Sequence, residues 1–310
     1  MTPVERLVDA QSARFARLDP MLPPVTAPDD GDVITARITH GTSVAGVLSR
    51  LTLRRDVLPA LWSALTVFEL YPLIGEHSPE GIDALLTKWR TLLDRDPPGP
   101  DSACVVTWPS RDAPATRTLL DHGLVPLSVV GVRLAGRSVP ASPPAITTTI
   151  RRATQDDLAA VVRLALDELE YSALVGATVL RPKAAELKQA ALSWRLDRGD
   201  PIWLAERDGV PIGMAECWFT DAAPGTWAAT RLPAGRWGFV NCVSVAPDAR
   251  GGGVGQDLMA VVHHELRRQG VIGTFLYYNL PNPLSSVFWA RQGYRPLWTV
   301  WEVRPAGALR

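Results

Sequence analysis

Residues 243–255, VSVAPDARGGGVG, constrain this chain more than any other stretch. The apolar run Val240–Val245 reads as a buried strand. Pro247 ends it, because proline cannot donate to a sheet ladder. Arg250 comes next, then Gly251, Gly252, Gly253 and Gly255. Between Gln256 and Gln269, apolar residues fall at Leu258, Met259, Val261, Val262 and Leu266, which is helical spacing. Strand, arginine-glycine loop and helix, in that order, make a place for phosphate. Glycines remove the Cβ atoms that hold an anion off the backbone. The first-turn amides of the helix point at that anion, helped by the helix dipole.

Two familiar phosphate loops do not fit. A P-loop ends in Gly-Lys-Ser/Thr, whereas Gly255 is followed by Gln256 and Asp257. A Rossmann fingerprint that begins at Gly251 would need glycine where Gln256 stands. What remains is Arg250-x-x-Gly253-x-Gly255, preceded by Val243-x-Val245-x-Pro247. This pattern resembles the pyrophosphate motif of the GNAT superfamily, the acyl-CoA-dependent N-acyltransferases. Asn282, Ser285, Trp289, Gly293 and Tyr294 also fall on positions of that family's C-terminal pattern.

The resemblance implies acetyl-CoA as cosubstrate, held by Arg250, Gly251, Gly252, Gly253, Val254, Gly255 and Gln256. It gives Val243 and Val245 to pairing with the pantetheine amides, and a backbone N–H of Cys242, Val243 or Ser244 to the oxyanion. Asn282 inherits a hydrogen bond to the pantetheine arm, with Ser285 and Trp289 beside it. The reaction implied is transfer of an acetyl group to a primary amine, of a small molecule or an N-terminus, by direct attack in a ternary complex. Trp289 stands where the family often has a tyrosine that protonates the departing thiolate. An indole N–H cannot do this, so a CoA-binding sensor that has lost catalysis is the alternative reading. The length and tandem layout also resemble the mycothiol synthases, acetyltransferases built from two such halves.

The amine needs a base. Glu216 alternates with Ile212, Met214 and Trp218 along a strand, a largely apolar setting for a carboxylate. Asn241 is placed to hold a relaying water. Asp167, Glu168 and Glu170 are acids that attract a cationic amine, or else a solvated helix face. The loop 172–181 shapes the acceptor pocket in the family, and Trp227 or Trp237 is available to line it. His263 and His264 lie mid-helix and read as packing or solvated groups, and Tyr277, Tyr278 and Tyr294 as core.

Composition bounds the rest. The 310 residues carry 32 basic and 32 acidic side chains, so no basic field recruits nucleic acid. Three cysteines without a CxxC indicate neither a disulfide scaffold nor a metal site. No apolar run reaches the ~20 residues of a membrane span, and the N-terminus lacks a signal core. A cytoplasmic, bacterial protein is expected, a monomer or homodimer with no membrane partner.

At this length two domains are expected. Residues 147–310 follow the order strand, two helices, three strands, helix, strand, helix, strand, which resembles a complete GNAT domain with a mixed α/β sheet. Gly136–Pro144 reads as a linker, so the division falls at 1–135, 136–146 and 147–310. Gly123, Pro126 and Leu127 recur as Gly293, Pro296 and Leu297, 170 residues on. The N-terminal half therefore reads as a degenerate copy without a CoA loop, or as a helical accessory cap. Within it, Val4–Leu18, Val57–Leu70, Ile82–Leu93 and Pro114–His122 read as helices. Val33–Ile38, Val44–Leu53, Cys104–Trp108 and Val125–Leu134 read as strands. Its expected work is to pack on the C-terminal sheet and help wall the acceptor pocket.

Overall fold

The chain starts with a well-capped helix. Thr2 and Glu5 form a reciprocal capping box and Pro3 fills the first helical position, so α1 runs Pro3–Leu18. In this computed structural model, residues 2–136, 148–176 and 178–310 are described. Most of the expected linker 136–146 lies outside them.

The N-terminal half continues with β1 (Asp32–Arg37), β2 (Ser43–Thr52), β3 (Thr66–Leu73), α2 (Glu80–Arg95), β4 (Ser102–Pro109), α3 (Ala113–Asp121) and β5 (Val125–Leu134). The C-terminal half holds β6 (Thr149–Arg152), α4 (Leu158–Leu174), α5 (Ala184–Asp197), β7 (Ile202–Arg207), β8 (Val210–Ala222) and β9 (Gly235–Val245). It ends with α6 (Val254–Arg268), β10 (Gly273–Asn279), α7 (Ser285–Arg291) and β11 (Arg295–Val303). One expectation fails: Val57–Leu70 is not a helix. A single short turn, Leu58–Leu61, precedes the strand β3. Its leucines mimic helical spacing, but Pro59 and the β-branched and aromatic Thr66-Val67-Phe68 run break the segment into turn and strand.

Shifting the N-terminal half by 170 residues lays β1 on β7 end for end, and starts β5 where β11 starts. The pairs β2/β8, β3/β9, α2/α6, β4/β10 and α3/α7 overlap in the same shift. The repeat legible in three residues thus extends over seven elements.

All strands form one sheet, ordered β1-β2-β3-β4-β11-β5-β10-β9-β8-β7-β6. Replacing each strand by its repeat partner reverses the first ten positions, so the sheet is pseudosymmetric about the β11–β5 junction. Each half lends its last strand to the other. β5 sits between β10 and β11, while β11 sits between β4 and β5, all antiparallel. No helix here is long and apolar enough to cross a membrane, among the described residues.

The parallel pairs open the clefts. β9 and β10 are registered only from Trp237↔Gly273 to Phe239↔Phe275, and both strands then run on apart. In the other half, β3 and β4 stay paired from Thr66↔Ser102 to Leu70↔Val106 before separating.

Candidate functional site

The register of β8 on β9 slips at one point. Glu216 faces Cys242, but Cys217 faces Val240, which leaves Asn241 as an extra residue in β9. This β-bulge bends the strand where it leaves β10. The repeat partner β3 runs against β2 without a slip, so the bulge belongs to the C-terminal half alone. Asn241 Nδ2 donates to Glu216 Oε2 at 2.7 Å, and Arg195 Nε stands 3.0 Å from Glu216 Oε1. The guanidinium also lies 3.4 Å over the Trp218 ring. Glu216 is therefore a buried, fully engaged carboxylate behind β9, and it does not line the cleft. Asn241 does line it, and its side-chain Nδ2 is turned back to Glu216.

Beyond β9 the chain makes the expected glycine loop. Gly251 and Gly253 have φ of 81° and 85°, a region costly for any residue with a Cβ. A Cβ on Gly255 would meet the Phe288 ring at 3.3 Å. Gly253 caps α6 through its backbone, with no side chain on the first-turn N–H groups. Arg250 Nε donates to the Val245 carbonyl at 3.0 Å, and its guanidinium sits 5.1 Å over Tyr171. The arginine thus staples the loop to the end of β9. Shifted by 170 residues, the N-terminal repeat has Glu80–Leu85 in place of Arg250–Gly255, with two acids, Glu80 and Asp83, in the first turn of α2 where α6 has Asp257 alone.

A cleft of about 570 Å³ opens between the diverging strands. It is lined by Val240–Val245, by the loop and first turn of α6, by Tyr277–Asn279, by the start of α7 and by one face of α4. Gly251, Gly253, Val254, Gly255 and Gln256 line it, but Gly252 does not. Ser244 Oγ is buried in this lining with no hydrogen-bond partner. A buried polar atom left open is a costly feature, and it marks a position for a ligand.

The N-terminal half shows how such a strand edge is satisfied. There α1 lies over the parted ends of β3 and β4. Gln11 Nε2 donates to the Pro72 carbonyl at 2.9 Å, and its Oε1 accepts from the N–H of Ile74 and Gly75 at 2.8 and 3.3 Å. One amide thus bonds the strand edge as a neighbouring strand would. The residues 170 positions on, Cys242, Ser244 and Val245, line the open cleft. The pantetheine arm carries amides of the same chemistry, so these residues fit it.

At the far side of the cleft, Asn282 Oδ1 accepts from the N–H of Leu284 and Ser285 at 3.0 and 3.2 Å, and so starts α7. Ser285 Oγ donates to the Asn279 carbonyl at 3.0 Å. Both residues line the cleft. Trp289 lines it too, edge-on to Phe288 and Tyr294. Tyr278 is the buried phenol of the lining, and burial raises its pKa. Tyr294 is core: its hydroxyl contacts Thr274 Oγ1 and the His263 ring, whose pKa burial pushes down to about 3.

One expectation about tryptophan is corrected. Trp237 is fully buried core, its indole N–H bonded to the Pro233 carbonyl. Trp227 lines a separate cleft of about 460 Å³ with Tyr71, Trp298 and Arg231, and stacks on Tyr277 at 6.4 Å. No N-terminal residue lines the main cleft. Instead Leu58 and Leu61 pack behind α4 and α5. Arg181, from the loop after α4, bonds the Ala60 and Ser63 carbonyls and the Asp101 carboxylate. The half thus buttresses α4 and α5, and its Tyr71 and Trp108 line the second cleft with Trp227.

Of the three acids on α4, only Glu168 enters the lining. Asp167 pairs with Arg163 one turn back, and Glu170 is exposed. Ser172 Oγ donates to the Glu168 carboxylate, and burial raises that carboxyl's pKa. The spacing Glu168-Tyr171-Ser172 was the available signal, since i, i+3 and i+4 share a helix face. Among the described residues, no cluster of His, Cys, Asp and Glu is arranged to hold a metal.

The model of the acetyltransferase (GNAT) family matches residues 164–294. A GCN5-related N-acetyltransferase from Sphaerobacter thermophilus is similar at 16% identity and TM-score 0.58, over 99% of this chain and 95% of its own. Two shorter structures align with TM-scores of 0.40. One is a GCN5-related N-acetyltransferase from Ralstonia eutropha, 22% identical over 48% of this chain and 93% of its own. The other is the PaiA N-acetyltransferase of Thermoplasma acidophilum in complex with coenzyme A, 14% identical over 51% and 99%. No curated protein matches the sequence.

Proposed function

Residues 164–294 belong to the GNAT acetyltransferase family, and on that premise we propose that the chain transfers an acetyl group from acetyl-CoA to a primary amine, by direct attack in a ternary complex. The observation that carries this reading is the open strand edge of β9. Its repeat partner is closed by the Gln11 amide, whereas Cys242, Ser244 and Val245 face a cleft that ends at the glycine loop.

In this reading the N–H groups around Gly253, Val254 and Gly255 hold the diphosphate of acetyl-CoA, with Arg250 keeping the loop on β9. Acetyl-CoA, when bound, supplies the activated acyl group. A backbone N–H at the bulge, from Cys242, Val243 or Ser244, meets the charge that develops on the carbonyl oxygen, an effect typically worth about 3–4 kcal/mol. Glu216 is a positioning residue: with Arg195 it holds the Asn241 amide, and through it the bulge. Tyr278 keeps its proton near neutral pH and, of the lining phenols Tyr171, Tyr277 and Tyr278, is the buried one we assign to return a proton to the thiolate. Trp289 supports the second reading, a CoA-binding sensor, because an indole replaces the acid at that position.

Titration calorimetry with CoA, followed by thiol release from acetyl-CoA with sisomicin, spermidine, tryptamine and a lysine peptide, tests both. Binding with turnover on any amine supports the transferase. Binding without turnover supports the sensor. Absence of binding by folded protein overturns both.

A further inference from the structure

The engagement of Glu216 leaves the incoming amine without a proton acceptor, and the cleft offers one on the facing helix. Glu168 lies on α4, which packs across β9. Glu168 lines the cleft with Asn241, Cys242 and Val243, the stretch that carries the bulge. We propose that Glu168 accepts the proton of the acceptor ammonium, the amine then attacking the acetyl carbon. This rests on the transferase reading above.

The balance is simple. An N–H bond of the ammonium breaks and its proton passes to a Glu168 oxygen. The freed lone pair forms the C–N bond, the C–S bond breaks, and the thiolate leaves with its electron pair. Glu168 then returns its proton to solvent.

Three features fit a base and not merely a structural acid. First, Glu168 makes no ion pair within contact distance among the described residues, unlike Glu216 on Arg195, Asp167 on Arg163 and Asp157 on Arg151. Its one side-chain bond is from the Ser172 hydroxyl, a neutral donor that fixes the carboxylate while leaving it basic. Second, the charged groups around it come from several elements and oppose one another. Lys188 on α5 favours the ionised form and Glu216 on β8 opposes it. Cys242 on β9 faces it as a thiol that burial keeps protonated. Arg195 is spent on Glu216 and Asp200, and Arg250 on Val245 and Tyr171. Third, Lys188 is itself held away, buried with its ammonium 5.3 Å over the Trp62 ring. The N-terminal half thus sets the charge balance at the base without entering the cleft.

The test compares kcat, KM and pH profiles of wild type, Glu168→Gln and Ser172→Ala, using whichever panel amine the wild type turns over. Glu168→Gln is expected to lower kcat by 10²–10⁴ with CoA affinity unchanged by calorimetry. In wild type, kcat/KM rises with pH through the raised pKa of Glu168. Removing the Ser172 hydroxyl removes a bond to the charged form, so the acid limb of Ser172→Ala moves to higher pH. A purely structural role leaves that limb in place. If Glu168→Gln keeps kcat and raises only KM, Glu168 merely attracts the amine and the proposal is wrong. If Glu168→Gln fails to fold, the Ser172→Ala profile decides alone: a shifted limb supports it, an unmoved one overturns it. If the wild type binds CoA and acetylates no amine, the transferase reading itself has failed.

Discussion

Arg250 and Gly253 carry the phosphate loop by different means, and their substitutions separate accordingly. Arg250 ties the loop to Val245 and is exposed, so Arg250→Glu removes a tether and adds a repelling charge while the core stays intact. Its CoA dissociation constant is expected to rise at least about tenfold, about 1.4 kcal/mol, at an unchanged melting temperature. Gly253→Val forces a β-branched residue to a φ of 85°, at about 1–3 kcal/mol of strain, and should lower both affinity and stability. Calorimetry beside thermal melts tells the two apart. His263 gives a pH prediction. Its folded pKa, near 3, lies below the ordinary 6.5. A group so lowered binds more protons when unfolded, so its contribution is full above pH 6.5 and fades as the pH falls toward 3. Urea midpoints should therefore drop less steeply across that window for His263→Gln than for the wild type. The glycines and the arginine were legible in the sequence because each does its work locally. The lock on Glu216 was not, because Arg195 and Asn241 reach it from a different helix and a different strand.

Helix α1 stands to the N-terminal cleft as a ligand stands to its site. Its Gln11 amide satisfies the edge of β3, and Phe15 packs edge-on to Trp108 and Trp298 at 5.3 and 5.8 Å. Gln11→Ala leaves the Pro72 carbonyl and the Ile74 N–H buried without that partner, at about 1–3 kcal/mol. Phe15→Ala costs more, about 3–5 kcal/mol, since it empties a packed aromatic site. Chemical denaturation of both variants is expected to give that order, and the reverse order would mean that the helix docks chiefly by its polar bonds. The same comparison explains why one half of a duplicated fold keeps a cofactor cleft. A bulge at Asn241 and a glycine-led helix open one copy, while regular pairing and a docked helix close the other. Periodicity alone showed α1, α2 and the strands β1, β2, β4 and β5 close to their observed bounds. It missed β3, because Leu58, Leu61, Leu65 and Leu70 fall at near-helical spacing across the proline turn and into the strand.

At the scale of the molecule, the sheet joins what the sequence divides. The break near residues 136–146 separates two repeats, yet β5 lies between β10 and β11, and β11 lies between β4 and β5. Pairing partners so distant in the chain leave no local signature, so the sequence showed the repeat, through three recurring residues and the matching strand-helix-Gly-strand order around them, but not the exchange of strands. The exchange means that the half bearing the cleft depends on the other for a central strand. Without β5, β10 and β11 each present an unpaired edge, and such edges aggregate. Residues 148–310 expressed alone are therefore expected to be insoluble or to bind CoA far more weakly than the whole chain. Co-expression with residues 1–136 should restore a soluble complex, because β5 and the Arg181–Asp101 contact dock from that partner. Gel filtration and calorimetry on the separate and combined fragments measure this. Full CoA affinity in residues 148–310 alone would show that the C-terminal half closes its own sheet and that the exchange of strands is dispensable. A soluble complex that binds CoA only when both fragments are present would show that two repeats, one open and one plugged, make a single cofactor-binding fold.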